Sequence, residues 1–408
     1  MNHKEGFSQL AVILIAIGII IIGGGLYFIL NAPLPQSRPQ SKTQANSGSV
    51  RTVDEKPLAS TTIIFGKGIY DESGSIGSSL QGVDFYSINA DGTDLKKLFS
   101  LNADQLGVPQ NISTLEDNIT FSKTNNEIYI RMPGCQSLEA VDLEGNIRNI
   151  SFNGPQQCSG LLGQAISPSG SKIAWGALSL NASGTLVDQI YVANIDGSNQ
   201  KLLLTTNRNS VNTKVPQVYR WSTQNPDIIY ITNAYQDSAQ ASITGGLATL
   251  NIVTGAVDNI AQIPSSSIIW AISQDDNKVI YGPDFFVDRT KTRGIVDLLT
   301  GSTQTFVDDT NGRSIFNPSG GMVAYSVPTI TEGSNEPIDN LYVYNGTDSY
   351  QIAADTSLSA WLTDHLILGT QKNAVITIDA NSGTINELTH MDVIDTNKQD
   401  TFLFIGTK

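Results

Sequence analysis

The sequence predicts an all-β protein, a β-propeller of seven four-stranded blades carried behind one N-terminal transmembrane helix. Three observations carry that expectation. Only 15% of the 408 residues are charged, against roughly a quarter in average soluble domains, and 36 glycines accompany a high content of Ser, Thr, Asn and Gln. From Leu58 onward a strand-turn-strand phrase recurs, its last turn marked by a glycine at 92, 145, 197, 255, 301, 346 and 383. Residues 10–30 form an unbroken apolar run without a single charge.

That run, LAVILIAIGIIIIGGGLYFIL, has 21 residues. As a helix it spans about 31 Å, the thickness of a bilayer's hydrocarbon core. It exceeds the roughly 7–15 apolar residues of a cleaved secretory signal. Ala32 at its exit is followed by Pro33, and no cysteine follows to take a lipid. The run is therefore expected to be a retained anchor behind a short cytoplasmic tail, residues 1–9. Lys4 is balanced by Glu5, while Arg38 and Lys42 follow the span, so flanking charge leaves orientation open. The short tail and the nature of the following domain put the C-terminal part outside the cytoplasm, in a bacterial envelope.

The start, KEGFSQLAVILI, also resembles a type IV prepilin leader, which implies cleavage between Gly6 and Phe7 and a pilin-like surface component as an alternative role. Ala11 stands where that family carries Glu, and its long amphipathic stem is missing. Residues 31–57 are rich in Pro, Gln, Ser and Lys and nearly free of large apolar side chains. Such a segment is expected to be a flexible linker reaching about 30 Å on average.

Residues 58–408 hold the repeats. The clearest copy is AISPSGSKIAW (165–175) followed by DQIYVANIDGSNQKLLL (188–204). YRWSTQNPDIIYI (219–231), WAISQDDNKVIYG (270–282), SIFNPSGGMVAYS (314–326) and SAWLTDHLILG (359–369) each open a further copy. The marker glycines are separated by 53, 52, 58, 46, 45 and 37 residues. These steps suit propeller blades, and six or eight blades remain compatible with them. Glycine serves there because tight hairpin turns need positive φ. A four-stranded unit with two apolar faces cannot stand alone; radial stacking buries both. The first copy lacks an inner strand, and the terminal TFLFIGTK (401–408) has no later partner, so the two ends are expected to pair and close the ring.

The segments SPSGSKIAW and YVANIDGSNQKLL resemble the TolB-type propeller repeats related to WD repeats, and the likeness extends over residues 61–408. The resemblance implies a module that recognises a protein or peptide on one face of the ring. In such a ring Cys135, after a second strand, and Cys158, between two blades, lie in loops of the same face. A Cys135–Cys158 disulfide is the expectation, with two unpaired thiols as the alternative.

Chemistry is sparse. The net charge is −14, and residues 1–57 carry five basic and three acidic side chains, so the remainder sits at −16. That sign repels phosphate backbones, which sets nucleic acid aside. His365 and His390 are the two histidines beyond the tail, and no G-x-S-x-G elbow precedes either. Asp91, Asp94, Asp196, Asp275 and Asp276 fall in repeat turns, where Asp supports the backbone locally. Asp84, Asp308 and Asp309 admit carboxylate chemistry in principle. No metal and no cofactor is expected. Trp221, Trp270 and Trp361 fall on inner strands and Trp175 on a second strand. Those of the inner strands either pack between blades or line a ligand-binding mouth. The loops Asp71–Gln81 and Thr329–Asp339 are longer than turns require and are where recognition is expected.

The composite expectation is a single-pass, envelope-anchored propeller acting as a protein- or peptide-binding or scaffolding module rather than an enzyme. A sensor or enzyme using the central mouth for a glycan or small ligand is the alternative.

Overall fold

Short β-branched and aromatic runs, broken every few residues by Gly, Asn and Asp, suit strands and leave no helical period. The computed structural model bears this out: all its regular elements are strands among the described residues. These are residues 61–408 apart from 71–79, 107–118, 133–136, 154–157, 182, 209–213, 236–242, 261–262, 264–266, 284–292, 308–312, 331–336, 372–373 and 391–401. The predicted anchor and linker lie outside them. Among the described residues no helix is long and apolar enough to cross a membrane.

The described residues make seven four-stranded antiparallel sheets. Blade 1 begins with β1 (Thr62–Tyr70), β2 (Leu80–Asn89) and β3 (Lys96–Asn102). Blade 2 holds β4 (Ile119–Ser122), β5 (Glu127–Arg131), β6 (Ser137–Asp142) and β7 (Ile147–Ser151). Blade 3 holds β8 (Cys158–Ile166), β9 (Lys172–Leu180), β10 (Leu186–Asn194) and β11 (Lys201–Asn207). Blade 4 holds β12 (Lys214–Trp221), β13 (Ile228–Tyr235), β14 (Ile243–Asn251) and β15 (Val257–Asn259). Blade 5 holds β16 (Ser267–Ile272), β17 (Lys278–Pro283), β18 (Arg293–Asp297) and β19 (Thr303–Val307). Blade 6 holds β20 (Ser314–Phe316), β21 (Val323–Ile330), β22 (Pro337–Tyr344) and β23 (Ser349–Ala353). Blade 7 holds β24 (Thr356–Trp361), β25 (Leu366–Gln371), β26 (Ala374–Asp379) and β27 (Ile385–His390). The terminal β28 (Phe402–Thr407) then returns to blade 1 and pairs with β1, giving the order β28-β1-β2-β3. The missing inner strand is thus the C-terminal one, and the count is seven.

Adjacent residues of the second strands face opposite blades, so each sheet is apolar on both sides. Ile128 packs toward blade 1 and Tyr129 toward blade 3; Val279 packs toward blade 4 and Ile280 toward blade 6. Among the described residues seven buried clusters result, one at each blade interface. The last joins Ile63, Phe65 and Ile88 of blade 1 to Leu368, Val375 and Leu388 of blade 7, closing the ring.

The seven marker glycines all adopt positive φ, between 70° and 96°. Their third-to-fourth-strand turns lie on the same face of the ring as the first-to-second-strand turns, here the turn face. The chain enters blade 1 and ends on this face, where the Lys408 amide donates to the Thr62 carbonyl at 2.9 Å. The second-to-third-strand and blade-to-blade connections occupy the opposite, loop face. Two connections there are shorter than expected. Tyr70 pairs with Leu80, and Ile330 pairs with Pro337, because the β-prone residues flanking both loops extend the hairpins.

Candidate functional site

Trp221 ends β12 in the blade 3–4 cluster with 3% of its surface exposed, its indole donating to the Pro226 carbonyl at 2.8 Å. Trp361 ends β24 in the blade 6–7 cluster at 9% exposure, and its indole reaches the Ile315 carbonyl of blade 6 at 3.1 Å. Trp270 on β16 packs against the blade 5–6 cluster. The guanidinium of the fully buried Arg293 lies 4.6 Å from its ring centroid and donates to the Ser314 hydroxyl. Trp175 stacks between Phe152 and Tyr191. Of the two roles open to the inner-strand tryptophans, their surroundings are those of packing between blades. Cys158 opens β8, while Cys135 lies outside the described residues.

His365 and His390 sit on opposite faces of blade 7: one precedes β25 on the turn face, the other ends β27 on the loop face. His390 pairs with Glu387 at 3.4 Å, both exposed. Among the described residues no three His, Cys, Asp or Glu side chains are grouped closely enough to share a metal ion. Asp84 is engaged by Lys97 at 2.8 Å and by the Ser100 hydroxyl at 2.7 Å. Burial works to raise its carboxyl, and these partners outweigh it, holding the group below the usual value. Asp308 and Asp309 lie outside the described residues.

The turn aspartates behave as expected with one exception. Asp91 and Asp196 each accept the backbone N–H two residues on, at 2.9 Å, and Asp275 accepts that of Asn277 at 3.1 Å. Asp94 accepts from the Asn89 amide at 2.9 Å. Asp276, read from the sequence as a local turn residue, instead reaches into blade 4. It accepts from Arg220, from the Ser222 hydroxyl at 2.5 Å and from the amides of Thr223 at 2.9 Å and Gln224 at 3.1 Å. Asp276 takes positive φ (59°) where Gly170 and Gly320 stand in the equivalent turns, and its reach into blade 4 is a tertiary feature that no local pattern announces. Other turn-face contacts stitch neighbouring blades likewise. Asn125 donates to the Gly170 carbonyl at 2.9 Å, Lys201 to Val253 at 2.7 Å, and the Ser319 amide to Asp364 at 2.8 Å.

Between blades 5 and 6 this stitched face opens into a cleft of about 150 Å³. Its walls include Lys278, Asp297, Gln304, Phe316, Gly321 and Tyr344. Lys278 donates to the Gly320 carbonyl at 2.9 Å. Asp297 takes its bonds on one oxygen, from the amides of Leu299 at 3.0 Å and Thr300 at 2.8 Å and from the Thr300 hydroxyl at 2.9 Å. The Thr300 bonds foremost, with smaller help from the Leu299 amide and the field of Lys278, hold its carboxyl below the usual value against a small effect of burial. In the same turn Leu299 is 78% exposed, the most open large apolar side chain among the described residues. Sequence reading passed over this cleft, because it forms only where two blades meet. The one available signal was Gly321, which stands where Ser171 and Asn277 occupy the equivalent turns of blades 3 and 5.

The ring with seven closed interfaces places this chain in the class of seven-bladed β-propellers. No protein-family model matches the sequence, and no curated protein matches it. Solved structures do resemble it. The acylaminoacyl peptidase of Pyrococcus horikoshii aligns with a TM-score of 0.51 at 11% identity over 81% of this chain and 51% of that one. Oligogalacturonate lyase from Vibrio parahaemolyticus aligns at 0.50 and 10% identity over 76% of this chain and 88% of that one. A putative TolB from Agrobacterium tumefaciens aligns at 0.39 and 12% identity over 80% and 88%. The first two share the fold at identities that say nothing of activity; the third adds no weight at that score.

Proposed function

We propose that this protein is a membrane-anchored, extracytoplasmic propeller that binds a protein or peptide partner and so acts as a recognition or scaffolding module. One observation carries the reading: the turn face is a pre-ordered platform, its neighbouring turns tied to one another by inter-blade hydrogen bonds such as those of Asp276, Asn125 and Ser319. A surface already ordered before contact loses little conformational entropy on binding, the property a docking module needs. The uncharged run of residues 10–30 supplies the anchor in this reading, and residues 31–57 supply a tether long enough to present the ring.

Crosslinking of intact cells, followed by capture of the protein, tests the module. A recurring envelope protein is the expected product, and recovery of nothing specific sinks the reading. Location has its own test. An oxidising compartment favours the Cys135–Cys158 bridge, so non-reducing mass spectrometry of protein from its native membrane should show a mass two hydrogen atoms below the reduced chain. Two alkylatable thiols would count against both the bridge and the compartment.

A further inference from the structure

We propose that the cleft between blades 5 and 6 is a peptide subsite: it takes one residue of an extended partner segment, with a medium-sized aliphatic side chain seated beside Phe316 and the backbone amide bridging Lys278 and Asp297. This rests on the recognition reading above and assigns it a place.

Size and shape come first. A cleft of about 150 Å³ matches the cavity that holds a benzene molecule, and so takes one Leu, Ile or Met side chain but not a folded element. Its apolar wall is formed by Ile295, Phe316 and Val323.

The polar groups match a peptide unit. Each residue of an extended chain offers one N–H and one C=O. Lys278 spends one described bond on Gly320 and keeps further donors. Asp297 takes its three described bonds on Oδ1, leaving Oδ2 to accept. The two charges face the same cleft, yet among the described residues no ion pair joins them. A donor and an acceptor held apart in this way fit a neutral amide between them better than a lone ion of either sign.

Gly321 is the independent observation. Its φ is not in the left-handed region, and an added Cβ would meet only the Ser319 hydroxyl at 3.6 Å. The backbone therefore does not demand glycine, and the equivalent turns of blades 3 and 5 carry Ser171 and Asn277. The glycine lines the cleft and adds no side chain to its wall.

The test selects peptides from a displayed random library against the full-length chain in detergent, then measures each on the wild type and on Gly321→Gln. Peptides with a required aliphatic position are expected, and Gly321→Gln should weaken them at least tenfold with an unchanged melting temperature. Ser302→Gln, a change at an exposed position on the cleft wall, gives a second reading and should weaken them several-fold. Peptides that bind wild type and both variants equally overturn the subsite while leaving the recognition module standing. If no peptide is selected the subsite is overturned, and an empty crosslinking experiment then removes the module as well.

Discussion

Asp339 on β22 has the Ser357 hydroxyl, 3.5 Å away, as its described partner. Burial pushes its carboxyl above the usual value, and that hydroxyl offsets only part of the effect. A group whose folded pKa is raised binds more protons folded than unfolded, so it costs stability as pH climbs from the ordinary Asp value through the raised one. The cost is absent at acid pH, where both states are protonated, and complete above the raised value. Asp339→Asn should therefore melt higher than wild type at neutral pH, with the gap closing as pH falls below the ordinary Asp range. Equal gaps at both ends of a pH series of melts would remove the electrostatic cause. Asp276 acts through its partners. Its side chain is 8% exposed, that of Arg220 is 25% exposed, and the carboxylate also holds three donors of the Ser222–Gln224 turn. Asp276→Ala leaves a guanidinium and those donors half-buried without an anion, at a cost of about 3 kcal/mol. Urea unfolding reads this directly; a loss within experimental error would show that the latch contributes no net stability.

At the scale of one strand, β8 approaches β12 so closely that side chains are excluded from one position. The register of β8 against β9 shifts between Leu161 and Gln164, and inside that irregularity Gly163 takes φ of 78°. A Cβ there would lie 2.0 Å from the Val218 carbonyl oxygen of β12. Gly163→Ala should cost about 2–4 kcal/mol, from the left-handed backbone plus the clash, read as a lowered unfolding midpoint. A neutral result would mean the two inner strands are not in this contact. Gly163 was invisible in the sequence because SGLLGQAI holds two glycines and no local rule separates them. The seven turn glycines were legible for the converse reason: positive φ in a tight hairpin is a local demand, so the residue itself marks the site. The tryptophans were legible only as far as their strands, since the choice between packing and mouth depends on the neighbouring blade. Asp276 and the blade 5–6 cleft were illegible on the same ground, each belonging to two elements nearly a blade apart in sequence.

For the whole molecule the decisive pairing is the least local one, β28 on β1, which joins the two ends of the ring. It was foreseeable because a strand without a partner and a blade without an inner strand are complementary deficits. Its energetic role follows from position. β28 presents Leu403 to the blade 1–2 cluster, and Phe402 and Phe404 pack on the blade 7–1 cluster, so one strand serves both interfaces of blade 1. Ending the chain at residue 401 removes these side chains together and leaves β1 with an unpaired edge. Losses at buried large apolar positions run to about 2–5 kcal/mol each, though not additively, so more than about 4 kcal/mol should disappear. The bare β1 edge is a template for pairing with a second copy. The shortened chain should unfold at a much lower denaturant concentration, and self-association in size-exclusion chromatography should grow with protein concentration. Removing Lys408 alone, which is exposed beyond β28, should do neither. A truncated chain that keeps the wild-type midpoint would show that the other six interfaces hold the ring without closure. In that case the propeller behaves as an open arc whose ends merely touch.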